Sequence, residues 1–274
     1  MTTDTAAPAD IREQAAFFAR EGYVIVPGLF SPDEVLEIRA IFERIHAEGA
    51  PGFYDPGKVN DAVSNPGDPL FKYPRVMQPH RFNDRVRDFV LAPKVAERLR
   101  LFFGEEPAGA QSMFFYKPPG ARGQALHQDQ FYLMVEPGNC IAAWTAIDDC
   151  DAENGAMMVV PKSNAAEVFC PGTADETQSY TNHLVPVPKG LKATLVPMKA
   201  GDTLFFNGNM IHGSGPNRSK ARFRRSLIGH YVPATTSRIS RFYMPLLRMD
   251  GSEFETAAQE SGGPCGSGWN GAQH

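Results

Sequence analysis

Apolar residues recur at three- and four-residue intervals in the first third of the chain and at alternate positions through most of the remainder. IREQAAFFAREG (11–22) has the spacing of one helical face and stops at Gly22. SPDEVLEIRAIFERIHAEG (31–49) carries stronger signals. Ser31 as N-cap, Pro32 at the first helical position and Glu34 completing a capping box precede the stripe Val35, Ile38, Ile41 and Phe42. Between the two lies YVIVPGLF (23–30), a short strand closed by a Pro-Gly turn. Residues 50–80 are dense in Pro, Gly, Asp and Asn and predict loop, and 92–106 fits another helix.

From about Gln111 the period changes. QSMFFYKPPG, ALHQDQFYLMVEPGN, IAAWTAIDD, GAMMVVPKS, ATLVPMKAGD, TLFFNGNMIHG and RRSLIGHYVP are β-rich runs separated by turn residues. Short strands at that spacing predict an antiparallel sandwich or barrel. The expectation is a single α+β domain, mainly β. Residues 1–10 would be disordered, 11–106 mainly helical support, 107–235 the β core and 236–274 a C-terminal extension or lid.

Composition narrows the function. The chain has 274 residues, 42% of them hydrophobic, and a formal net charge of -4. It has no broad basic surface to recruit nucleic acid or an anionic membrane, so a small molecule is the expected partner. No run approaches a membrane span and MTTDTAAPAD lacks the features of a secretory signal, which together predict a cytoplasmic protein. Cys140, Cys150, Cys170 and Cys265 show no C-x-x-C spacing and are expected as free thiols. Oligomeric state is not written in the pattern.

The chemistry begins in ALHQDQFYL (125–133). On a strand, His127 and Asp129 at i and i+2 would share a face while Gln128 points away. Alone, H-x-D is a weak signal. His212 sits where an apolar run meets the turn GSGPN, and two imidazoles plus one carboxylate form the facial triad of non-haem Fe(II) oxygenases. In KARFRRSLIGHYV (220–232), Arg222, Arg224 and Arg225 precede an apolar strand. An inward arginine there requires an anion, because an unpaired buried charge is costly. Period-two alternation leaves Arg224 and Arg225 tied for that role.

With these residues in place, the sequence resembles the phytanoyl-CoA hydroxylase family of Fe(II)- and 2-oxoglutarate-dependent oxygenases. The likeness runs from about residue 15 to 235 and rests on YVIVPGLFSPDEV, KPPG, LHQD, AAWTAIDD, ENGAMMVVPKS, GDTLFF, HGSGPN and FRRSLIGHYV, in the family's order. It departs at Lys162, Ser163 and Asn164, where the family often shows Gly-Ser-His.

The resemblance implies a double-stranded β-helix (jelly-roll, cupin-like) core with supporting N-terminal helices. It also implies His127, Asp129 and His212 as iron ligands, and it breaks the arginine tie in favour of Arg224, which follows Phe223. Ser214, Trp144, Met113 and Arg75 would serve 2-oxoglutarate, with O2 as the second cosubstrate. Gln78, His80, Arg81 and Gln130 become candidates for substrate contact. The implied reaction is hydroxylation of a small polar metabolite or natural-product intermediate, with release of succinate and CO2. Related halogenases replace the carboxylate ligand by a small residue, whereas Asp129 is intact. The alternatives are a cupin-like metal enzyme without 2-oxoglutarate chemistry, or a non-catalytic jelly-roll binding protein; the arginine after HGSGPN discriminates against the first.

Overall fold

The computed structural model describes residues 10–50, 67–260 and 263–265. Helix α1, Ile11–Glu21, starts under an Asp10 cap and ends at Gly22, whose φ of 82° suits glycine. Helix α2, Pro32–Glu48, has the expected capping box, with Ser31 and Glu34 exchanging bonds. Helices α3 (Pro69–Lys72), α4 (Asp84–Val90), α5 (Pro93–Phe103) and α6 (Gln130–Leu133) follow. Of these, α3, α4 and α6 were not expected; Asn83 caps α4, and its Val86, Phe89 and Val90 are buried. Much of the loop expected at 50–80 lies outside the described residues, as do most of residues 1–10 and the Trp269 tail.

The strands in chain order are β1 (Tyr23–Val26), β2 (Val76–Met77), β3 (Pro107–Phe115), β4 (Gln124–His127), β5 (Ile141–Ala146), β6 (Met157–Val159), β7 (Gly172–Thr173) and β8 (His183–Leu184). They continue with β9 (Thr194–Val196), β10 (Thr203–Asn207), β11 (His212–Ser214), β12 (Ser226–Pro233), β13 (Arg238–Ser240), β14 (Leu246–Arg248), β15 (Glu253–Phe254) and β16 (Ala257–Gln259). One antiparallel sheet runs β1-β10-β5-β12-β3-β14-β15, with β2 also on β3, and a smaller one runs β4-β11-β6-β9.

These two sheets face each other as a jelly roll. Met113, Trp144, Phe206 and Ile228 of the large sheet share one core with Met157, Val159 and Val196 of the small one. The alternate residues of the large sheet, among them Phe114, Phe205, Leu227 and Tyr231, turn outward onto Phe18, Ile38, Phe42 and Leu99 of the helices. The period-two pattern thus sorts the chain into a lined interior and a helix-covered back.

The expectation of four free thiols is overturned. Within the expected C-terminal extension, β14 pairs with β3 and β13 with β16, so residues 236–260 extend the fold. Cys170 and Cys265 form a disulfide, leaving Cys140 and Cys150 as buried thiols. Their pairing across 95 residues is a tertiary contact that spacing does not show. Lys162, at the point of departure from the family pattern, takes a left-handed φ of 68° and donates its N–H to the Glu21 carbonyl at 2.9 Å.

Candidate active site

His127 is the last residue of β4 and His212 the first of β11, and the register sets them directly opposite each other. Gly213 permits the close approach, since a Cβ there would fall 2.7 Å from the Gln124 carbonyl oxygen. Asp129 is not on the strand with His127. It has helical φ and ψ of -67° and -34° and leads into α6. The reason is register: His212 opens β11 opposite His127, so the chain beyond His127 has no partner on that strand. The Gln130 N–H goes instead to the Gly208 carbonyl, and the Gln128 amide is pinned by Asn209 and Phe169 backbone groups. The turn brings Asp129 round to the same centre that the strand reading had placed it beside.

The three side chains are buried and their donor atoms lie within 4.8 Å of one another. Asp129 Oδ1 is 3.6 Å from His127 Nε2 and 3.5 Å from His212 Nε2. One ion about 2.1 Å from each ligand needs adjacent donors about 3 Å apart in octahedral geometry, so a small contraction suffices. Both imidazoles donate Nδ1–H to backbone carbonyls, His127 to Ala125 at 2.8 Å and His212 to Met210 at 2.9 Å. This fixes the tautomer and turns each Nε2 lone pair inward. The Gln124 amide, 3.1 Å from His127 Nε2, lies on that lone pair. His230 donates Nε2–H to the second Asp129 oxygen at 3.0 Å. Burial pushes His212 down to about 4, keeping it neutral. No thiolate joins the group. The donor set fits Fe(II).

Arg224 and Arg225 diverge. Arg225 turns outward, where Asp148 binds its Nε at 2.8 Å and Glu43 its Nη1 at 2.7 Å. Arg222 pairs with Asp151 and Glu153 at the surface. Arg224 shares the inward face of Ser226, Ile228 and His230, is 4% exposed, and lies 5.1 Å over the Trp144 ring. It donates to the Ser226 hydroxyl at 3.1 Å, its Nε has no partner, and no carboxylate pairs with it among the described residues. Burial pushes its pKa down to about 10. A guanidinium held this way can seat an anion.

One cavity joins the triad to Arg224, and Ser214, Trp144 and Met113 line it. Among the polar lining groups, sequence reasoning missed His230, Gln124, Tyr180, Lys117 and Arg122, the last of which is paired with Asp68 at 2.7 Å. Lys117, in KPPG, reads as a surface turn, but it is 3% exposed and donates to Ser214 Oγ at 2.8 Å and Gly215 O at 2.6 Å.

The other candidates sit apart. Gln78 is tied to the Ser112 backbone, and His80 Nδ1 is 2.6 Å from the Ser112 hydroxyl on the helix-covered back of β3. Arg81 donates to the Met244 carbonyl, and the Gln130 amide to Val135. None of these four lines the cavity. Arg75 is half-buried with Nε and Nη1 unpartnered, and its charge reaches the Tyr180 hydroxyl at the cavity wall.

The model of the phytanoyl-CoA dioxygenase (PhyH) family matches residues 18–226. Peroxisomal phytanoyl-CoA dioxygenase of Rattus norvegicus is 28% identical over 241 residues, covering 83% of this chain and 70% of the relative. Ectoine dioxygenase of Nocardia farcinica is 28% identical over 223 residues, covering 75% and 72%. Among solved structures, the epimerase SnoN in complex with Fe3+, alpha ketoglutarate and nogalamycin RO superposes with a TM-score of 0.68 at 24% identity, over 94% of this chain and 98% of that one. With the triad, the buried arginine and the jelly roll already in hand, the match over most of its length identifies this chain as a member of the phytanoyl-CoA dioxygenase family, an iron- and 2-oxoglutarate-dependent oxygenase.

Proposed function

We propose that the protein hydroxylates an unactivated C–H bond of a small polar metabolite or natural-product intermediate, consuming O2 and 2-oxoglutarate and releasing succinate and CO2. The observation that carries this reading is one cavity holding both a buried His-Asp-His donor set and a buried arginine with no carboxylate partner among the described residues. His127, Asp129 and His212 would hold the iron. Arg224 and Ser214 would grip the distal carboxylate of 2-oxoglutarate, with Trp144 and Met113 walling it in. Arg75, whose charge reaches Tyr180 at the cavity wall, would assist either ligand. When bound, iron and 2-oxoglutarate supply the oxidant that removes a hydrogen atom from substrate.

The chain's own share is orientation and exclusion of water. Asp129 is held by His230, so its ligating oxygen has a fixed direction. Leu70, Phe115 and Met157 add to the apolar part of the cavity wall, while Gln124 and Tyr180, bonded to each other at 2.7 Å, offer polar contacts. Relatives named for ectoine and for hypophosphite support a small polar substrate. No described helix is long and apolar enough to cross a membrane.

An anaerobic titration with Fe(II) and 2-oxoglutarate should develop a visible metal-to-ligand charge-transfer band. His127→Ala and Asp129→Ala should each abolish both the band and substrate-dependent succinate release; full activity in either variant would sink the assignment.

A further inference from the structure

We infer that Lys117 is a positioning residue that turns the Ser214 hydroxyl toward an anion held by Arg224. This rests on reading Arg224 and Ser214 as the grip on the distal carboxylate of 2-oxoglutarate. Lys117 stands just past β3 with φ at 38°, a conformation that side-chain-bearing residues rarely adopt. Its carbonyl accepts from the Arg224 N–H at 3.1 Å and from the Asn217 amide at 3.0 Å, so one residue braces the whole HGSGPN to FRR segment. Its side chain then runs beneath Gly155, where a Cβ would fall 3.0 Å from Lys117 Cε and 2.5 Å from Gly215 O. The glycine keeps that passage open.

At the end of the passage the ammonium reaches Gly215 O at 2.6 Å, Ser214 Oγ at 2.8 Å and Gly155 O at 3.4 Å. Three N–H bonds meet three acceptors, and none remains for a ligand. The bond to Ser214 occupies an Oγ lone pair, and Lys117 already serves the nearby Gly215 carbonyl. The single hydroxyl proton of Ser214 is therefore left to donate into the cavity that Ser214 and Arg224 both line.

The test compares two ligands on Fe(II)-loaded protein under anaerobic conditions: 2-oxoglutarate, and 2-oxovalerate, which keeps the chelating keto acid but ends in a methyl group. Lys117→Met should weaken 2-oxoglutarate binding about tenfold to a hundredfold, the scale of a lost charge-assisted hydrogen bond, and leave 2-oxovalerate unchanged. Ser214→Ala should show the same selectivity, and the double variant should lose far less than the product of the two single losses. Equal weakening of both ligands would mark Lys117 as merely structural, and an unchanged 2-oxoglutarate affinity would also overturn the inference. If Lys117→Met does not fold by circular dichroism, Lys117→Gln removes the charge, keeps two donors and carries the same comparison. A wild type that binds neither ligand would instead refute the cosubstrate reading itself.

Discussion

Replacing Arg224 by methionine should move folding stability and cosubstrate affinity in opposite directions. In the folded protein the guanidinium is buried and its pKa is pushed about 2.5 below the ordinary arginine value, down to about 10. At about 1.4 kcal/mol per pH unit, holding the charge inside costs about 3 kcal/mol. The sign follows from linkage. The folded pKa is depressed, so the whole cost is present below pH 10 and is relieved only as pH rises above about 10 toward the ordinary arginine range. Measurements near pH 7.5 therefore lie on the flat part.

Against this gain, methionine forfeits the bond to Ser226 and the stack over Trp144, each worth about 1 kcal/mol. The metal-free variant should be about 1 kcal/mol more stable than wild type by urea unfolding. Binding should go the other way. Leaving a buried carboxylate without its cation costs about 2–5 kcal/mol, so affinity for 2-oxoglutarate should fall at least thirtyfold in the anaerobic titration. A variant 1 kcal/mol less stable than wild type, or one binding 2-oxoglutarate normally, would show that the charge is satisfied by something other than an arriving anion.

Other outcomes follow from individual contacts. His230→Leu should lower Fe(II) affinity about tenfold to a hundredfold by chelator competition, because Asp129 loses its orienting donor; unchanged affinity would make His230 a filler. Burial pushes His80 from 6.5 down to about 3, so it is neutral in both states above pH 6.5, and stability is lost as pH falls from there toward 3. His80→Gln should flatten urea-derived stability between pH 6.5 and 4 by up to about 1.4 kcal/mol per pH unit, and an identical slope in the variant would count against the burial of an uncharged ring. Replacing both Cys170 and Cys265 by serine opens a 95-residue loop and should lower stability by up to about 4 kcal/mol in thermal melts, while 2-oxoglutarate affinity stays fixed.

Legibility in the sequence follows the range of the interactions. The α2 cap is written in four consecutive residues, and the structure reproduces it. Helix α4 carried the same kind of signal in Asn83, Val86 and Val90, but over only seven residues. The triad was legible as residue types, because imidazole and carboxylate donors are scarce in an apolar run; its geometry was not. Asp129 joins the centre from a turn, whose cause is the start of β11 some eighty residues away. Lys117 escaped notice because its acceptors at Gly155, Ser214 and Gly215 are brought in by other strands. The choice between Arg224 and Arg225 was likewise tertiary: Asp148 and Glu43 claim one, and no carboxylate among the described residues pairs with the other.

That divergence makes chain length a constraint of its own at this point. Two adjacent arginines serve opposite sides of one sheet, one against Trp144 in the interior and the other clasping Glu43 on α2 at the back. Substitutions nearby change one function at a time. A single-residue insertion between Arg225 and Ser226 would instead shift both at once, turning Arg225 toward the cavity and moving Arg224 off Trp144. Length changes should therefore be tolerated in the turn at 218–221 and not between Arg225 and Ser226, where one inserted codon would empty the interior of its arginine stack and unfasten Glu43 of the helical layer together.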